Sequence, residues 1–62
     1  MSNIVKIWAG SGYNKDVRLI ERVYDDGRVS YEFRDRKGYP ANATASEAQE
    51  IINRWHLEEV EV

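Results

Sequence analysis

Asp16-Val17-Arg18-Leu19-Ile20-Glu21-Arg22-Val23-Tyr24, then Asp25-Asp26-Gly27, then Arg28-Val29-Ser30-Tyr31-Glu32-Phe33-Arg34, is the stretch on which the fold turns. Two runs rich in β-branched and aromatic residues flank a turn whose glycine accepts positive φ, the pattern of a β-hairpin. Loop length sets the register, and the register sets which side chains share a face. A three-residue Asp25-Asp26-Gly27 loop pairs Val23 with Val29, Glu21 with Tyr31 and Leu19 with Phe33. One face then carries Val17, Leu19, Val23, Val29, Tyr31 and Phe33, with Glu21 the exception. A two-residue Asp26-Gly27 loop mixes Arg18 and Arg22 with Ile20 and Tyr31, and sets Glu21 opposite Glu32. The three-residue loop is the expected one.

Upstream, Ile4-Val5-Lys6-Ile7-Trp8 reads as a first strand, ended by the flexible Gly10-Ser11-Gly12. Downstream, Arg36 to Asn42 reads as a connector, because Gly38 and Pro40 interrupt a ladder. Thr44-Ala45-Ser46-Glu47 matches a capping box and predicts a helix start. Ala48, Ile51, Ile52 and Trp55 form its apolar stripe, Glu50 and Arg54 stand at i,i+4, and the helix is expected to end near His56. Glu58 to Val62 alternates charge with valine, as a terminal strand with Val60 and Val62 facing inward does.

The expected architecture is a single α+β domain over residues 1–62, ordered β-β-β-α-β, with a mostly antiparallel sheet and one helix packed on one face. If the first three strands form a meander, the last strand emerges parallel to the first, either beside it or at the other edge. The expected core is Val17, Leu19, Val23, Val29, Tyr31, Phe33, Ala48, Ile52 and Trp55.

Composition narrows the function classes. The chain has 62 residues, no cysteine and one histidine, so neither a disulfide nor a structural metal is expected to hold it together. Apolar runs reach three residues, as in Ile7-Trp8-Ala9, far short of a signal segment or a membrane span. A soluble, cytoplasmic protein, complete as one domain and without membrane contact, is expected. Without Cys, and with His56 at a helix end, the usual nucleophilic triad has no parts, so a non-enzyme without cofactor is expected. Asp25/Asp26 and Glu58/Glu59 read as turn chemistry and solvated charge. Gly10 to Lys15 lacks the spacing of a phosphate-binding loop, and Asn42-Ala43-Thr44 matches a glycosylation sequon in a chain with no sign of secretion.

Charge is the more informative feature. The net value is −2, but residues 15–37 hold seven basic and six acidic side chains, while residues 38–62 hold Arg54 against Glu47, Glu50, Glu58, Glu59 and Glu61. In the expected register the face opposite the core displays Arg18, Ile20, Arg22, Tyr24, Arg28, Ser30, Glu32 and Arg34. First-strand parity adds Lys6 and Trp8 if Val5 and Ile7 point inward. Arginine suits bidentate pairing with carboxylate or phosphate, and surplus aromatics such as Trp8, Tyr13, Tyr24 and Tyr39 suit interface anchors. The candidate binding residues are therefore Lys6, Trp8, Arg18, Arg22, Tyr24, Arg28 and Arg34. The alternative is the acidic end formed by Glu47, Glu50, Glu58, Glu59 and Glu61.

Tyr24-Asp25-Asp26-Gly27-Arg28, Arg36-Lys37, Thr44-Ala45-Ser46-Glu47-Ala48 and Trp55 together resemble the arm-type DNA-binding domain of tyrosine-recombinase integrases. That resemblance implies a sheet laid in the major groove, with Arg18, Arg22, Arg28 and Arg34 on the DNA. Asp25-Asp26-Gly27-Arg28 followed by Tyr31-Glu32-Phe33, a helix and a charged last strand is similar in order and length to small phage proteins that inhibit host enzymes. This second resemblance implies occlusion of a host protein, one that handles nucleic acid being a candidate. Duplex DNA binding is the alternative, and an exposed edge strand leaves monomer and homodimer both open.

Overall fold

The computed structural model describes residues 2–60. Strand β1 (Ser2–Ala9) leads through a short 3₁₀ turn (Gly12–Asn14) into β2 (Arg18–Tyr24), β3 (Val29–Arg34) and β4 (Pro40–Ala43). Helix α1 (Ala45–Trp55) and strand β5 (Glu58–Val60) follow. The strands form one sheet in the order β4-β3-β2-β1-β5, and every neighbouring pair is antiparallel. The α+β class, with a single helix, is as the sequence implies.

The central hairpin has the three-residue loop. Val23 lies opposite Val29, Glu21 opposite Tyr31 and Leu19 opposite Phe33. The Tyr24 N–H donates to the Arg28 carbonyl at 2.8 Å, and Gly27, at φ 88°, takes the left-handed conformation that closes such a loop. Glu21, the charged residue that the hairpin itself places on the apolar face, accepts a hydrogen bond from the Tyr31 hydroxyl at 2.8 Å.

Three expectations are corrected. Residues 40–43 form a fourth strand where a connector was expected, so the order is β-β-β-β-α-β. Pro40 stands at the first position of an edge strand, opposite Arg34, where its missing N–H interrupts little of the ladder. The extra strand reverses the chain once more, so β5 runs antiparallel to β1 and not parallel, beside it at residues 7–9. Val60 consequently pairs with Ile7 and is 42% exposed, so it does not face the core; Val62 and Glu61 lie outside the described residues.

The third correction concerns β1. Ile4 lies opposite Arg22 and Lys6 opposite Glu21, so Val5 is an extra residue in a β-bulge. Trp8 then falls opposite Leu19, on the helix side, and Lys6 falls on that side too, 6.0 Å from the Trp8 ring centroid. Val5 and Ile7 do not point inward. Trp8 offers far more apolar area than either, so the strand buries it in their place.

The core is Val17, Leu19, Ala48 and Leu57, with Trp8, Tyr31, Phe33, Ile51, Ile52 and Trp55 packed against it. Val23 is half-buried and Val29 exposed, which contracts the expected core towards the helix. Leu57, absent from the expected core, is brought in by the helix terminus. His56 adopts the left-handed conformation (φ 53°, ψ 47°), and the Leu57 N–H reaches the Ile52 carbonyl at 3.0 Å. At the other end the capping box forms in full: Glu47 N–H donates to the Thr44 hydroxyl at 3.2 Å, and Thr44 N–H donates to the Glu47 carboxylate at 3.0 Å.

Candidate functional site

Helix α1 packs over β2, β3 and β4 on one side of the sheet. Among the described residues no other helix or strand covers the opposite side. Cross-strand pairing lays out that open face in rows. Asn42, Glu32, Ile20, Ile7 and Val60 form the middle row; Pro40, Arg34, Arg18, Ala9 and Glu58 form the next; Ser30, Arg22 and Ile4 lie on the other flank. Its centre is an apolar stripe of Ile20, Ile7, Val60 and Ile4, the last two each 42% exposed. Arginines border the stripe.

Three of these arginines are paired with carboxylates. Arg22 and Arg34 clasp Glu32 from two sides, Arg22 Nη1 to Oε1 at 3.1 Å and Arg34 Nε to Oε2 at 2.7 Å. The Arg34 hydrogen bond, followed by the charges of both guanidinium groups, holds the Glu32 carboxyl below its ordinary value against the opposing effect of burial. Arg18 donates Nη1 to the carbonyls of Lys15 and Val17 and has no carboxylate partner among the described residues. It also stands directly opposite Arg34, and like charges so placed repel. At the hairpin tip Arg28 pairs with Asp26 at 2.7 Å, its guanidinium 5.3 Å from the Tyr24 ring centroid.

The structure brings Arg18, Arg22, Arg34 and Tyr24 together on one face, with Arg28 at its end, as the sequence suggests. Lys6 and Trp8 belong to the other face. Ile4, Ile7 and Val60 take their place: Ile7 because β1 has the opposite parity to the one expected, Ile4 because the bulge breaks the alternation ahead of Lys6, and Val60 because it pairs with Ile7. The acidic residues do not make one surface. Glu47 is bound into the helix cap, Glu47 and Glu50 line a groove of about 710 Å³ beside Phe33, and Glu58 and Glu59 alternate sides on β5. Glu61 lies outside the described residues.

Among the described residues no group of three His, Cys, Asp or Glu side chains is placed to hold a metal ion, and no helix is long and apolar enough to cross a membrane. Compared with known proteins, the chain matches no family model, no curated protein and no solved structure.

Proposed function

We propose that the chain is a non-enzymatic binding protein that docks its open sheet face on a partner protein. It would act in the cytoplasm, in the manner of a small phage or mobile-element regulator, by occluding a surface of a host protein. The observation that carries this reading is the uncovered stripe of Ile4, Ile7, Ile20 and Val60, bordered by Arg18, Arg22, Arg34 and Glu32. An apolar centre with an arginine-rich border is how protein interfaces are composed. The partner's chemistry follows by complementarity: an apolar ridge for the stripe, and a carboxylate for Arg18, which pairs with none among the described residues.

Duplex DNA binding through the same arginines is weaker on these observations. Arg22, Arg34 and Arg28 already hold Glu32 and Asp26, so contact with phosphate would have to displace or share those carboxylates. The test compares the parent chain with Ile4→Glu and Arg18→Glu, both folded by circular dichroism, in quantitative capture from a bacterial lysate. A stoichiometric partner that both variants lose, and whose complex shields β1, β2 and β3 from hydrogen exchange, is the expected result. Titration of a labelled duplex supplies the contrary outcome. Saturable binding whose log K falls with log salt at a slope of about −3 to −4, reduced by about one for each Arg→Ala, would replace protein docking with phosphate contact.

A further inference from the structure

The loops at one end of the sheet build a second surface that the open face does not use. Arg36, in the β3–β4 turn, lies 4.2 Å from the Tyr13 ring centroid and 5.7 Å from that of Trp55. Trp55 in turn packs on Phe33 at 5.8 Å, so a ring, a guanidinium and two further rings are layered from solvent to core. Beside this stack lies a shallow cavity, open to solvent and lined by Asp35, Arg36, Lys37, Tyr39 and Trp55.

Two features show that this surface is set in place by the backbone. The Asp35 carboxylate accepts from the backbone N–H of Lys37 at 2.9 Å and of Tyr39 at 3.0 Å, fixing the turn that carries all three basic and aromatic side chains. Tyr13 rides on the 3₁₀ turn, whose Asn14 carbonyl accepts from Val17 N–H at 3.0 Å. Both loops nevertheless leave their tyrosines in water, Tyr13 82% and Tyr39 67% exposed.

We propose that this end binds single-stranded nucleic acid: one base stacks on the exposed Tyr39 ring in the shallow cavity beside Trp55, and the flanking phosphates lie on Arg36 and Lys37. Aromatic faces take any base, and the adjacent cations track the backbone, which is the combination that recognises an unpaired strand. Asp35, the one carboxylate lining the cavity, is engaged by backbone N–H groups. A paired duplex has no exposed base face to offer the cavity, so the site discriminates against it. This site is independent of the open sheet face, and either can fail without the other.

The test is fluorescence anisotropy of a labelled oligonucleotide of about ten nucleotides, a length within the usual span of such sites, against the same sequence as a duplex. The single strand is expected to bind saturably below about 100 µM at low salt, and log K to fall with log salt at a slope near −1.4 for two phosphate contacts. Tyr39→Ala is expected to weaken binding about 5- to 150-fold, the effect of losing one stacked base. Lys37→Ala should flatten the salt slope by about 0.7. Lys6→Ala, which removes the same charge elsewhere, should change neither. In a Trp8→Phe background Trp55 is the remaining indole, and its emission should quench on binding. Failure to saturate, equal affinity for the duplex, or equal effects of Lys6→Ala and Lys37→Ala with none from Tyr39→Ala would each overturn the proposal.

Discussion

Deleting one residue should be nearly harmless at position 5 of β1 and ruinous at position 20 of β2. Between Ile4 and Lys6 the first strand advances two residues while β2 advances one, so Val5 has no partner of its own. Its removal leaves Ile4 opposite Arg22 and Lys6 opposite Glu21 in a regular ladder, with Trp8 still opposite Leu19. Val5 is 43% exposed, and fully burying a valine contributes about 1.5–3 kcal/mol, so its partial burial is worth about 1 kcal/mol and the restored ladder offsets part of that. Removal of Ile20 from β2 does the reverse, because β1 already carries the surplus residue and β3 has none to give up. Either Val17 and Leu19 turn over to the open face, or the half of β2 from Glu21 to Tyr24 slips by one against β3.

Val17 and Leu19 are fully buried, and losing a packed leucine alone costs about 2–5 kcal/mol. A chain of 62 residues has a total stability of roughly 3–9 kcal/mol, so the Ile20 deletion should leave little folded protein. The assay is urea and thermal unfolding followed by far-ultraviolet circular dichroism. The Val5 deletion should melt within about 8 °C of the parent, since 1 kcal/mol moves the midpoint of so small a domain by roughly 4–8 °C. If the Val5 deletion unfolds the chain as thoroughly as the Ile20 deletion does, the bulge assignment is wrong.

Other perturbations test separate parts of the structure. A Cβ on Gly10 would overlap the Asn14 carbonyl oxygen and stand 2.9 Å from the Asn14 Cβ, so Gly10→Ala should lower stability by about 1–3 kcal/mol in a urea titration. His56 is a non-glycine residue at φ 53° closing α1; His56→Gly should raise the melting point by several degrees, through a gain of up to about 1 kcal/mol, and a lower melting point would mean that its side chain matters more than its backbone. Because the Glu32 pKa is lowered in the fold, its contribution is present above its ordinary value of 4.5 and is lost as pH falls through the folded value. The stability difference between the parent and Glu32→Gln should therefore shrink on acidification below 4.5, and a difference independent of pH would contradict the clasp. The Tyr31 pKa is raised, first by its hydrogen bond to Glu21, then by burial and the Glu21 charge, so its contribution should hold below 10 and disappear at higher pH, as comparison with Tyr31→Phe would show.

What the sequence makes legible is what local chemistry dictates. Three residues, Asp25-Asp26-Gly27, are enough to set a loop type, and the loop sets the pairing of β2 with β3; Thr44 and Glu47 alone define a helix start. Pro40-Ala41-Asn42-Ala43 has no strand chemistry of its own and becomes β4 only because β3 offers it a free edge, so a local reading had to miss it. Missing it also inverted the direction of β5.

The parity of β1 is a different kind of miss, a choice between two faces on which the bulge ahead of Lys6 has no bearing, and area alone could have found the answer. An aromatic side chain of this size buries 150–250 Å², worth about 4–6 kcal/mol at 25 cal/mol per Å², against about 1.5–3 for valine or isoleucine. A strand free to choose therefore turns Trp8 inward and lets Ile7 face out, even though Lys6 must then share the inner side. Lys6 lies two residues before Trp8 and remains exposed, so its ammonium stays in water near the Trp8 ring and little is lost. The consequence reaches the candidate site. With Lys6 and Trp8 outward, the open face would be basic and aromatic, and the integrase-like reading would gain. With Ile4, Ile7 and Val60 outward, it has an apolar centre, and a partner protein becomes the better fit for the same arginines.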